Sequence, residues 1–434
     1  MADHREGSRR AHRGAKQLVA IAALTTLLLA TAACGDDDTS STSDSGDSEQ
    51  TAQLLGPDDP ATGEPVRIGL VSDGATQAYD TSDEGRAAEA TAEFWNEHRG
   101  GIGGRPIEIV TCETGGDPAG GTDCGNQLVQ DNVAAVIFNN SGVAEQAWEP
   151  LHEAGVPTML YQAIGHALTT DDQSTFVLVN PLPTLFGLPV AVAQEDHADR
   201  VDFVAIDVPQ AIDAFVSGAA DRVMENADLD YDLIRVPPGT PDMTSQMQEV
   251  VDNDPGVVHV LGNDAFCIAA FQGLAAAGYE GKISAVSQCI TDATREAMSG
   301  GQLEGISVLS SVAIGATDDP TYQLYLAVMD AYGQDVRDTG NINAMGTYTV
   351  LSALATSLDG ISGDITPQTV TATIKAMPEQ DLPGGGGMKF RCGGSAMASQ
   401  SAVCTNQWLR ATLDADGQPA GYDVEDSSEI LEGL

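Results

Sequence analysis

The sequence predicts an α/β protein of two lobes, each built on a parallel sheet. Short aliphatic runs alternate with helix-patterned segments over most of the chain, as strand–helix–strand units with right-handed crossovers require. That alternation comes as two successive series. The 434 residues also exceed what one hydrophobic core ordinarily serves, so two cores are expected.

The N-terminus is of another kind. Arg5, Arg9, Arg10, Arg13 and Lys16 precede the uncharged run "LVAIAALTTLLLATAA", which ends at Ala33. Such a run is short for a bilayer span but suits a secretory h-region. Ala32 and Ala33 then precede Cys34. The stretch resembles a bacterial lipobox, whose cysteine is diacylated and becomes the new N-terminus, although Thr31 stands where leucine is usual. Residues 1–33 are therefore expected to be a lipoprotein signal peptide; an ordinary signal peptide with an incidental cysteine is the alternative. Residues 34–64 are rich in Asp, Ser, Gly and Thr and poor in aromatics. They cannot bury enough apolar surface to offset chain entropy, and read as a disordered tether.

The first series opens with the strand "PVRIGLVSD" and the helix "TSDEGRAAEATAEFWNEH". The strand "RPIEIVTCE" leads to a helix that Asp117 can cap, with Pro118 in its first turn. The buried strands "VAAVIFNN" and "VPTMLYQA" flank the helix "VAEQAWEPLHEAG". The second series runs through "VDFVAIDV", "YDLIRVP", "GVVHVLGND" and "KISAVSQ", with helices between them. Two long helices are expected at 319–335 and 342–359, and a β-rich end from 384 onward. "RGGIGG" follows a helix and opens a strand, the reverse of a dinucleotide loop, so it reads as a turn needing positive φ.

Seven cysteines occur: Cys34 and three close couples, Cys112 with Cys124, Cys267 with Cys289, and Cys392 with Cys404. An odd number in an exported chain leaves one thiol over, which acylation of Cys34 would explain. Only neighbour pairing keeps each couple within one local unit, so three disulfides are expected. Each would stabilise by about 3 kcal/mol in the chain-entropy model. No CxxC or HxxxH spacing points to a metal, and no cofactor is expected. With 19 basic against 64 acidic residues the net charge is −45, a surface that repels nucleic acid. The seven histidines come without G-x-S-x-G or H-E-x-x-H, so no catalytic residue is assigned and the protein is not expected to be an enzyme.

The stretch "FWNEHRGGIGGRPIEIVTCETGGDPAGG" carries a resemblance. It is similar to the type I periplasmic solute-binding proteins of the leucine/isoleucine/valine-binding family, in which Asn96, Gly100, Gly101, Ile102, Gly104, Arg105, Pro106, Asp117 and Pro118 fit the order of a helix-to-strand turn and the next helix start. "EAGVPTML", "QGLAAAGYEGKI" and "DPTYQLYLAVMDAYG" extend the likeness from residue 65 to about 420. The resemblance implies the type I periplasmic binding protein fold: two Rossmann-like lobes with parallel sheets, joined by a multi-strand hinge. Residues 65–180 and about 313–378 would form the N-terminal lobe. Residues 181–312 and about 379–430 would form the C-terminal lobe.

Ligands of such folds bind outside the strand C-termini. The first-lobe candidates are Ser72, Asp73, Asn139, Asn140, Ser141, Gly142, Tyr161, Gln162 and Ala163. Those of the second lobe are Asp207, Gln210, Asn263, Asp264, Phe266, Ser287 and Gln288. The family grips a ligand carboxylate where Ser141 stands, and Ser141 is expected to cap the following helix. Ile164 replaces an expected threonine. "AVSQCI" lacks the acid that holds an ammonium group, leaving Asp264 as the nearest substitute. A Cys267–Cys289 bridge would tie two binding loops together.

The function implied is capture of a small polar molecule, an amino acid or related compound, and its delivery to the permease subunits of an ABC importer. The protein would act as a monomer at the outer face of the cytoplasmic membrane, held to the lipid bilayer through acylated Cys34. The alternatives are a sensor subunit signalling to a membrane receptor and, more distantly, an enzyme.

Overall fold

Two sheets, wound in the same strand order, carry the chain. They are seen in a computed structural model that describes residues 44–76, 79–139, 141–163, 165–180, 182–298, 300–394, 396–397 and 399–433. The expected signal segment, Cys34 and Asn140 lie outside the described residues, as does the Gln210 side chain.

Helix α1 (Asp44–Leu55) precedes the first sheet. Strand β1 (Val66–Ser72) lies between β2 (Ile107–Glu113) and β3 (Ala135–Phe138). Strands β4 (Thr158–Gln162) and β5 (Thr175–Val179) follow β3, and every pairing is parallel. The connecting helices are α2 (Asp83–His98), α3 (Pro118–Gln130), α4 (Ala144–Glu153) and the short α5 (His166–Thr170). Because helices cover both faces, strands such as β3 are buried at every residue.

The local chemistry is legible. The Asp117 side chain accepts from the Ala119 and Gly120 N–H groups, with Pro118 next in line. In the glycine turn, Gly101 has φ +63°, and a Cβ there would come within 2.1 Å of the Arg105 carbonyl. Asn96 clamps the turn to β2, accepting from Ile107 N–H at 2.6 Å and donating to Ile107 O at 3.0 Å.

After α6 (Leu188–Asp196) the second sheet begins with β6 (Arg200–Ile206), then α7 (Pro209–Val216), α8 (Ala219–Ala227) and β7 (Asp230–Val236). It continues with α9 (Thr244–Asp252), β8 (Val257–Leu261), α10 (Asp264–Ala277), β9 (Lys282–Ala285), α11 (Asp292–Ala297) and β10 (Ser307–Ser310). The chain then returns to the first lobe as α12 (Pro320–Tyr332), α13 (Ile342–Ser357) and α14 (Pro367–Ala376). A small hairpin follows, β11 (Gln380–Asp381) with β12 (Lys389–Phe390). Last come β13 (Gln407–Thr412) and β14 (Asp423–Asp426), antiparallel strands on the edge of the second sheet. Its order is β14-β13-β10-β9-β8-β6-β7, so β6 sits between β7 and β8 just as β1 sits between β2 and β3.

Two expectations are corrected. Residues 34–64 do not form a disordered tether throughout, since 44–55 are helical and Leu55 is buried in the first core. The following residues lie along the end of α2: Asp59 N–H donates to Glu97 O and Ala61 N–H to Asn96 O, each at 2.7 Å. Average composition conceals a local apolar pair, Leu54–Leu55, that the first core accepts. The boundary at 379 also moves. Leu382, Met388, Phe390, Cys392 and Cys404 pack in the first core, and Val403 pairs with Val177 of β5. The last return to the second lobe thus comes near residues 405–407.

The chain crosses between lobes three times. At the first and third crossings the Asn180 side chain donates to Asn406 Oδ1 at 2.8 Å and accepts from Leu182 N–H. At the middle one, Ser310 Oγ donates to Val312 O at 2.6 Å. Three disulfides join Cys112–Cys124, Cys267–Cys289 and Cys392–Cys404, with Cα separations of 5.6, 5.3 and 4.3 Å.

Candidate ligand-binding site at the strand ends

Strands β5 and β10 run straight into crossings, so the C-terminal edges of both sheets lie on the hinge side of their lobes. In each sheet the strand order reverses there, between β1 and β3 and between β6 and β8. Open α/β sheets place ligands at such points.

Asp73 is the centre of the first rim. It follows β1, is 1% exposed and receives four hydrogen bonds from three separate segments. Thr114 Oγ1 (2.6 Å) and Ser141 Oγ (2.7 Å) donate to Oδ1; Tyr79 OH and Gly142 N–H (both 2.8 Å) donate to Oδ2. Burial pushes its pKa up, but the bonds from Thr114, Gly142, Ser141 and Tyr79 outweigh burial and hold it below the ordinary carboxylate value. Sequence reasoning misses Thr114 and Tyr79. Thr114 falls one residue beyond β2, a position that the strand-end rule covers when it is applied to every strand. Tyr79 lies inside the β1–α2 loop, where no periodicity marks it.

Ser141 does not cap α4. The N-cap is Val143, and Ser141 Oγ accepts from Val143 N–H while donating to Asp73. Ser72, Asn139 and Tyr161 are buried behind the rim. Ser72 Oγ shares a hydrogen with Thr81 Oγ1 and accepts from Gly74 N–H. The Asn139 amide donates to Glu84 Oε1 (3.0 Å) and to the Ile342 and Asn343 carbonyls (3.4 and 3.1 Å), joining α2 and α13 to β3. Tyr161 OH bonds Ser311 beside the middle crossing, and burial raises its pKa well above the ordinary phenol range. Gln162 and Gly142 are exposed, while Ala163 is buried.

The second rim is more open. Asp207 is exposed and takes both Nε and Nη2 of Arg235, at 3.1 and 2.5 Å. Asn263 caps α10 by accepting from Phe266 N–H at 3.0 Å, and Phe266 itself is buried. Asp264 stands half-buried at the helix start. Ser287 and Gln288 are exposed on a single 3₁₀ turn ending in Cys289, whose bridge to Cys267 fixes that turn against α10. β8 and β9 are parallel neighbours in the sheet, and the bridge adds a covalent link between the segments that follow them.

This arrangement supplies hydrogen-bonding groups and one anchored carboxylate. Among the described residues no cluster of histidine, cysteine, aspartate or glutamate could hold a metal, and no helix is long and apolar enough to cross a membrane.

Comparison with known proteins gives the family. Residues 65–405 match the family described as periplasmic binding protein. No curated protein matches the sequence. Among solved structures, the chain is similar to an ABC transporter substrate-binding protein from Sphaerobacter thermophilus (18% identity, 84% of this chain and 98% of that one covered, TM-score 0.64). It is also similar to a solute-binding protein from R. palustris in complex with 4-hydroxybenzoate (18%, 84% and 97%, 0.62). A third is the branched-chain amino acid transporter substrate-binding protein LivJ from Streptococcus pneumoniae, in complex with isoleucine (17%, 84% and 100%, 0.60). With a family match over most of its length and the two-sheet architecture to go with it, the chain belongs to the periplasmic binding proteins and has their type I fold.

Proposed function

We propose that this protein captures a small polar molecule, an amino acid or related compound, between its lobes and presents it to the permease subunits of an ABC importer. One observation carries the reading: both sheets direct their C-terminal edges and strand-order reversals to the side where three crossings join the lobes. A ligand that touches both rims only when the lobes are shut stabilises the shut form, and a permease reads that population shift. The lobes move as units because each has its own core, and three short crossings absorb the change. Acylation at Cys34 would hold the protein at the outer face of the membrane.

Native mass spectrometry of freshly purified protein, paired with small-angle scattering, tests the capture step. The expected result is a co-purified small molecule whose removal enlarges the radius of gyration and whose return reverses it. A protein that retains nothing, and whose scattering no added solute changes, would refute capture. Mass analysis of the membrane fraction tests the anchor, which predicts a diacylated Cys34 at the N-terminus.

A further inference from the structure

Strand ends beside a helix start offer N–H and hydroxyl donors, a combination that attracts anions. In the first lobe this seat is already filled by the protein's own carboxylate. Each oxygen of Asp73 accepts two hydrogen bonds, drawn from the β1–α2 loop, the residue after β2, and the β3–α4 loop. That matches the roughly four acceptor sites of a carboxylate, and the residue is 1% exposed. We propose that Asp73 is a specificity-determining residue: it occupies the anion seat of the first lobe and restricts the ligand to molecules that are neutral or cationic in the part meeting that rim.

Two effects enforce the restriction. The donors Thr114, Ser141 and Gly142 are engaged, so an arriving carboxylate can take them only by displacing Asp73. It would also sit beside a fixed like charge, where the partly desolvated surroundings strengthen repulsion. The hydrogen bonds that keep Asp73 ionised maintain that charge near neutral pH. The four groups that donate to Asp73 are uncharged and so do not neutralise it. Arg337 is taken up by Asp80 and Asp83, and Arg86 by Asp83. Tyr79, 46% exposed, has its hydroxyl turned onto Asp73.

The consequence for ligand choice rests on the capture reading, whereas the filled seat can be tested alone. In the full-length protein, Asp73→Ala keeps Cβ and removes a group the size of formate. Formate, isoleucine and 4-hydroxybenzoate are then titrated into wild type and variant, followed by thermal shift and calorimetry. Expected is no saturable binding of formate by wild type, and no binding of isoleucine or 4-hydroxybenzoate that places a carboxylate at this rim. D73A should gain saturable binding of formate, with recovery of its lost thermal stability, and bind at least one larger carboxylate tenfold or more tightly than wild type. Should D73A not fold, Asp73→Ser still accepts one of the four bonds and answers the same question. Wild type that binds isoleucine or 4-hydroxybenzoate with an affinity D73A leaves within twofold would overturn the proposal. So would folded variants that gain no carboxylate binding. If formate rescues D73A but wild type never closes around any solute, the capture reading falls while the filled seat stands.

Discussion

The two rims organise their polar groups in opposite ways. In the first, Ser72, Asp73 and Asn139 are buried and paired, so the rim is set by hydrogen bonds that reach across elements. In the second, Asn263, Ser287 and Gln288 are exposed: Asn263 caps α10, and the covalent bridge between Cys267 and Cys289 fixes the turn that carries Ser287 and Gln288. One half is shaped by buried polar satisfaction, the other by a staple. The difference teaches where each rim is vulnerable: the first, although Cys112–Cys124 braces β2 behind it, to loss of a single buried acceptor, the second to loss of the bridge under its exposed turn.

Removing the staple should have the largest effect. Replacing Cys267 and Cys289 together by serine is expected to lower the stability of the second lobe by about 3 kcal/mol, read by urea unfolding. It should also weaken affinity for the co-purified solute, because the loops must then be ordered on binding. Unchanged affinity in a folded variant would show that the rim needs no covalent support. Next comes D73A, which leaves four donors seeking partners and should cost about 2 kcal/mol.

Its pH signature separates this from simple packing loss. The folded Asp73 carboxyl lies below its ordinary value of 3.8. It therefore contributes stability that is fully present above pH 3.8 and is lost as pH falls below that toward the folded value. Thermal melts of wild type should decline through that acid window, and D73A should decline less steeply. Identical acid profiles would mean that Asp73 is not held ionised by its donors.

A third substitution probes the first rim from behind. A Cβ on Gly346 would lie 2.2 Å from Asn139 Oδ1, so Gly346→Ala should force α13 away from β3 at a cost of about 2 kcal/mol. Denaturant midpoints measure it; a neutral result would show that the Asn139 junction tolerates movement. The smallest effect belongs to the open rim. Arg235→Ala breaks an exposed pair with Asp207 and should change stability by about 0–1 kcal/mol, with little left at high salt. A larger loss would mean that the second rim, too, depends on non-covalent polar contacts.

Signals that act within a few residues are legible in the chain itself. The strand and helix alternation, the Asp117–Pro118 helix start, the positive-φ turn at Gly100–Gly101 and the three cysteine couples all rest on neighbours in the chain. The strand-end rule also places Asp73 and Ser141 in one region. Their relation to each other stays hidden at that level, since Ser141 has the sequence position of a helix cap with a free hydroxyl.

Tertiary structure decided the rest. Asp73 and Ser141 stand 68 residues apart, and which of two polar groups meets the other depends on how β1, β2 and β3 align, not on either segment's preference. The same holds for residues 380–404, whose short strands fit either lobe until Phe390 and Val403 find the first core and the edge of β5. Local chemistry follows from the order of residues; partner choice between distant groups follows from packing, because only the folded sheets bring those groups within hydrogen-bond reach.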